Sequence, residues 1–179
     1  SGNYAPVFLV QQQVKQRGYD EVLCLDAASG ETIEEAGASK FFVVYPNNTI
    51  VTPSLDSETI LAGVTRASII ELAERECGCT VLEQRVTLSS IREGGCCEAF
   101  CCGTGVSITP VGSITVLEEE TSLSSPSDKN DEDCTIQFGD GTTPGTLTQK
   151  LYKILLDLQT GVDEDLNKKY KDWIHVVEP

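Results

Sequence analysis

The chain has 179 residues, 40% hydrophobic and 23% charged, which suits one globular domain able to bury a sizeable core. Thirteen Lys and Arg against 28 Asp and Glu give a net charge of −15, which argues against nucleic acid or an anionic membrane as a partner. Apolar runs such as Phe41 to Tyr45 are far too short to span a bilayer, and no charged-then-apolar leader opens the sequence. In chain order, Pro6 with Val7, Val10 and Val14, closed by Gly18, predicts a helix through about Arg17. Asp20 to Asp26 reads as a buried strand and Thr32 to Glu35 as the approach to a second. FFVVY, the turn PNNT and IVT predict a hairpin. Thr65 to Cys77 carries Ile69, Ile70, Leu72 and Ala73 at helical spacing. Strands are expected at Cys79 to Val86, Glu98 to Cys102, Val106 to Pro110 and Ser113 to Glu119, with a short helix at Ser89 to Glu93. Glu118 to Asp133 shifts to Ser, Asp and Glu, the composition of an acidic loop. Thr135 to Phe138 reads as a strand and Thr146 to Thr160 as an amphipathic helix, with a closing strand at Trp173 to Val177. Helices and strands mix without regular βαβ alternation, so the expected class is α+β, an irregular α/β arrangement.

Eight cysteines include Cys96, Cys97, Cys101 and Cys102 within seven residues. Side chains of adjacent strand residues point to opposite faces, so such pairs are badly placed to share one ion. Zinc spacing is absent, and the single histidine, His175, lies near the far end. The expected reading is free thiols packed as small hydrophobes, with no metal, in a reducing intracellular compartment. The chain has no methionine and starts at Ser1, which reads as a piece of a longer protein.

Three features could carry chemistry. LAGVTR (Leu61 to Arg66) sets a glycine just before a helix, whose first N–H groups can hold an anion. GTG (Gly103 to Gly105) makes a tight turn between strands, open to close backbone approach. EEAG (Glu34 to Gly37) sets acidic residues beside a glycine. The first two could cradle one phosphate. No GxSxG, HExxH or P-loop occurs.

The ordered set SGNYAPVFLVQQ, GYDEVLCLD, EEAGASKFF, TPSLDSETILAGVTRASIIELA, FCCGTGVSITPVGSI and TQKLYKILLDLQTG resembles the branched-chain-amino-acid aminotransferases over Ser1 to about Val177. The GNYAP opening and the GTG-x4-PVGSI run favour that family over the related D-amino-acid aminotransferases and aminodeoxychorismate lyases. The resemblance implies the fold type IV large domain over 1–179, a mixed-sheet pseudo-barrel with flanking helices and an acidic insert at 118–133. It implies pyridoxal phosphate as cofactor, amino-acid and 2-oxo-acid substrates and a homodimer. Cytoplasm, mitochondrion and plastid are equally compatible with it.

At matched positions, Tyr4 would hydrogen-bond the ring 3-oxygen, and Glu35 would pair with the ring nitrogen. Leu61 would press on the ring face. Val64, Thr65 and Thr104 would hold the phosphate, and Gly105 would offer its N–H to a substrate carboxylate. Ala38 would border the substrate pocket. Val106 and Thr109 stand where some members carry a redox cysteine pair. The Schiff-base lysine falls upstream of Ser1 by this register, as does a small N-terminal domain, so the chain alone is expected to be inactive. Lys40 takes the place of a usual Asn and reads as a surface lysine. A non-catalytic remnant or binding protein is the alternative from another class.

Overall fold

The computed structural model describes residues 5–56, 59–117 and 135–173. The acidic segment 118–133 lies outside them, as do Tyr4 and His175. Helix α1 spans Ala5–Gln16. A ribbon follows, β1 (Leu23–Leu25) paired antiparallel to β2 (Ile33–Ala36). Strands β3 (Lys40–Tyr45) and β4 (Thr49–Thr52) form the expected hairpin, with Val43 opposite Val51 and Tyr45 opposite Thr49. Its turn needs a left-handed residue, and Asn48 supplies it at φ 57°.

Helix α2 (Val64–Cys77) carries the chain across to β5 (Thr80–Glu83), which runs parallel to β4. A parallel neighbour requires such a crossover. Then come α3 (Leu88–Glu93), β6 (Glu98–Gly103), β7 (Ser107–Val111) and β8 (Ser113–Thr115). Strand β9 (Thr135–Gln137), α4 (Thr146–Thr160) and α5 (Glu164–Lys169) complete the described chain. The main sheet is mixed, in the order β5-β4-β3-β6-β7, and β8 and β9 form a second ribbon.

Alternation along β3 and β6 divides the core in two. Phe42, Val44, Phe100 and Cys102 face α2 and α4, meeting Ile69, Leu72, Leu151 and Leu155. Phe41, Val43, Ala99 and Cys101 face the other way, meeting Ile33, Val86, Ile91 and Phe138. Phe42 stacks on Phe100 across the strands, ring centroids 4.9 Å apart.

Several expectations change. The buried strand over Asp20 to Asp26 shrinks to three half-buried residues, because Asp26 is drawn into a turn, accepting from the N–H groups of Ala28, Ser29 and Thr32. The strand from Ser113 ends at Thr115 within the described part. Trp173 belongs to a 3-10 turn (Lys171–Trp173) against Tyr170, and 174–179 lie outside the described residues. Helix α5 was not anticipated. Its signal is polar: Asp163 caps it, accepting from Asp165 and Leu166 N–H, and Lys168 and Lys169 close it. Helix α1 forms as expected, yet Phe8, Leu9 and Val10 stay exposed.

Helix α4 starts at Gly145, whose own side cannot cap it. Glu98 of β6 does so from a distance, accepting from Leu147 N–H, Thr148 N–H and Thr148 Oγ1. Glu98→Ala is expected to lower unfolding free energy by about 2 kcal/mol, the scale of a lost cap plus an unsatisfied donor. Urea unfolding checks this; a change under about 0.5 kcal/mol would show that water replaces the cap.

Candidate cofactor site

One end of the main sheet gathers three loops. The β2–β3 turn is a tight reversal in which Ala36 N donates to Ser39 O and Ser39 N to Ala36 O. Gly37 lies in it at φ 57°, and a Cβ there would come 2.7 Å from the Glu21 carboxyl carbon. The left-handed backbone is what favours glycine there, since the exposed Glu21 carboxylate could shift aside. Ala38, the other turn residue, is exposed. The β6–β7 turn, Thr104 to Val106, lies beside it: a Cβ on Gly103 would sit 3.4 Å from Ser39 Oγ. Thr104 and Gly105 are exposed, and space around Gly105 is open.

The third loop joins β4 to α2. Arg66, 4% exposed, fixes it by donating to Pro53 O (2.9 Å) and to Glu83 Oε2 (2.6 Å). Helix α2 begins after Gly63 with no side-chain cap, and its first N–H groups have no intrahelical partner. Val64 is 86% exposed there and Thr65 half-buried. An uncapped 14-residue helix start is suited to an anion.

Glu35 ties two loops together. Its Oε1 accepts from Leu61 N at 3.3 Å and from the ammonium of Lys40. The Lys40 and Glu35 side chains are 8% and 12% exposed. Lys40 therefore corrects the surface-lysine expectation. It opens β3 on the same face as Cys102, its partner across the ladder, and its stem passes beneath Gly63. A strand position facing the α2 side is buried, so the charge had to find a carboxylate. Strand spacing from Phe42 would have revealed this face. Arg66 was also missed as a structural residue; its signal is an arginine in the first turn of a helix, where a free cation is poorly placed.

The sequence-derived site residues thus sort clearly. Ala38, Leu61, Thr104 and Gly105 belong to these three loops, Glu35 lies in β2 just before the first and Val64 and Thr65 open α2 just after the third, and Tyr4 lies outside the described residues.

The cysteines are not part of this site's chemistry. Cys101 and Cys102 face opposite cores, and burial pushes both thiols up to about 12. Lys40 and Arg66 pull Cys102 the other way without overcoming burial. Among the described residues seven cysteines are free, and no cluster of three or more metal-ligating side chains occurs. At pH 8, iodoacetamide is expected to label exposed Cys97 first and to leave Cys101 and Cys102 unlabelled until the protein unfolds. Peptide masses after graded alkylation test the order; native labelling of Cys101 would mean β6 opens readily.

Fold and loops together define a class: a mixed α/β domain with an anion-ready sheet end. The sequence profile described as "Amino-transferase class IV" matches residues 1–114, and the chain belongs to that family. It is 40% identical over 172 residues to "Branched-chain-amino-acid aminotransferase 1, mitochondrial" of Arabidopsis thaliana, covering 96% of this chain and 38% of that protein. It is 37% identical over 171 residues to a "Probable branched-chain-amino-acid aminotransferase" of Staphylococcus aureus, covering 93% of this chain and 42% of that protein. The solved branched-chain amino acid aminotransferase from Escherichia coli superposes with a TM-score of 0.67 at 30% identity, covering 89% of this chain and 45% of that one. The chain therefore spans well under half the length of the relatives it matches. The mixed sheet and flanking helices agree with that fold. No helix among the described residues is long and apolar enough to cross a membrane.

Proposed function

We propose that this chain is the large, cofactor-binding domain of a branched-chain-amino-acid aminotransferase. The observation that carries this is the convergence of Glu35, Leu61, the free start of α2 and the GTG turn, each on a loop that the family resemblance singles out. The donor set fits pyridoxal phosphate. The uncapped α2 start with Val64 and Thr65 suits the phosphate, and Thr104 adds a hydroxyl on the facing turn. Leu61, largely exposed, would offer an apolar face to the ring, and the Glu35 carboxylate, paired with Lys40, would meet the ring nitrogen. Gly105, with open space beside it, leaves its N–H accessible to a substrate carboxylate. Ala38 limits the side-chain pocket from the neighbouring turn.

When bound, pyridoxal phosphate supplies an electron-withdrawing ring for proton removal at an amino-acid α-carbon. This domain's part is to fix phosphate and ring so that the α-carbon meets its base in one orientation. The whole protein would exchange the amino group between Leu, Ile or Val and 2-oxoglutarate, as a homodimer. The free thiols among the described residues, three of them buried, favour a reducing cellular compartment.

The test is the full-length gene product, supplied with pyridoxal phosphate and assayed against leucine, isoleucine and valine with 2-oxoglutarate. Turnover of at least one is expected. Turnover of D-alanine alone, or of aminodeoxychorismate alone, would move the protein to a related class IV activity. No cofactor retention and no turnover would overturn the proposal.

A further inference from the structure

Lys40 is the feature the functional reading does not absorb. It is an ammonium inside the proposed ring site, 7% exposed overall, bound to the carboxylate expected to meet the ring nitrogen. The same Glu35 oxygen already accepts Leu61 N–H. A pyridinium nitrogen is held by an uncompensated anion, and here that anion is neutralised by its own neighbour in the fold.

The surrounding charges do not restore it. Arg66, the other cation facing Cys102, is paired with Glu83. Cys102 is a buried thiol held neutral. Glu34 and Glu21 act on Cys24, opposite Glu35 on β1, and Glu21 is further engaged with Gln11 and the Gly37 turn. The Lys40 stem runs beside the loop into α2, its Cε 3.6 Å from where a Gly63 side chain would start, and its ammonium is held by Glu35.

The placement also bears on what Lys40 cannot do. The aldehyde carbon of pyridoxal phosphate lies across the ring from its nitrogen. A lysine fixed at Glu35 is at the nitrogen end and is not a substitute for the Schiff-base lysine.

We infer that Lys40 is a positioning residue that sets the protonation state of the ring nitrogen: by neutralising Glu35 and presenting its own N–H, it selects an unprotonated nitrogen that accepts a hydrogen bond. The inference rests on the reading that pyridoxal phosphate binds with its nitrogen at Glu35. No bond is made or broken; the ring proton is left in solvent. The ammonium then supplies the electron withdrawal that a ring proton would otherwise give, through a hydrogen bond instead of a shared charge.

The experiment is nitrogen NMR of the full-length protein loaded with pyridoxal phosphate labelled at the ring nitrogen. Wild type and Lys40→Arg are expected at the unprotonated pyridine position. Lys40→Asn is expected to raise the protonated fraction at neutral pH at least about tenfold, one unit of titration. A structural role alone would lower cofactor retention without moving the resonance. A pyridinium resonance in wild type overturns the inference and leaves the cofactor reading standing, even if Lys40→Asn fails to fold. Identical resonances in wild type and Lys40→Asn overturn it equally. A wild-type protein that retains no labelled cofactor removes the cofactor reading, and this inference with it.

Discussion

Glu35→Gln is expected to destabilise the fold by about 3–5 kcal/mol, because it leaves the Lys40 ammonium buried without its carboxylate. The pair is nearly closed to water, with side chains 8% and 12% exposed, so solvent cannot take over the lost partner. Leu61 N–H keeps an acceptor, since Gln retains a carbonyl oxygen, and the loop before α2 should hold its course. The double substitution Glu35→Gln with Lys40→Met removes the stranded charge and is expected to recover most of the loss. Urea unfolding of wild type, both singles and the double gives the coupling. Glu35→Gln within about 1 kcal/mol of wild type would mean that Lys40 finds water instead, and that the site is more open than described.

Phe100→Ala is expected to cost about 3–5 kcal/mol, the range for emptying a fully buried aromatic site. Phe100 is 0% exposed on the central strand pair β3–β6, stacked on Phe42 and facing α2 and α4. Removing it leaves a void among elements that cannot all move inward together, since β6 is hydrogen-bonded on both edges. Phe100→Leu should cost less, about 1 kcal/mol, because most of the volume stays. Thermal unfolding distinguishes the two. Equal, small losses would show that this core repacks.

Much of the framework was legible because it rests on period and punctuation. The FFVVY–PNNT–IVT pattern specified both strands and their turn. The alternation that argued against a shared metal for Cys101 and Cys102 is the same alternation that sends them to separate cores. The glycine of LAGVTR marked the start of α2 to within a residue. What stayed hidden depends on contacts distant in sequence. Glu98 caps a helix 49 residues further on, and no local pattern announces it. The parallel pairing of β5 with β4 becomes visible once α2 is seen to span them. Asp26 and Asp140 look like ordinary loop acids, yet hydroxyl and N–H donors from Ser29 and from Thr143, chiefly, hold both carboxyls well below their usual range. Their turns should therefore loosen as pH falls below the usual carboxylate range, since the ionised form is what those donors favour.

The segments that meet at this end of the sheet were legible from motif order, and the burial of one residue among them was misread. Glu35, Val64, Thr65, Thr104 and Gly105 could be chosen from motif order. Lys40 was assigned to the surface because a lysine is usually there. Its burial follows from β3 beginning at residue 40 and sharing a face with Phe42. One residue of register turned a solvated charge into the partner of the proposed ring-binding carboxylate.

The most direct test is a crystal structure of the full-length protein with pyridoxal phosphate. The phosphate is expected on the N–H groups that open α2, against Thr104, with the ring over Leu61 and its nitrogen facing Glu35 and Lys40. A cofactor seated elsewhere, or a ring turned so that its nitrogen points away from Glu35, would contradict the account.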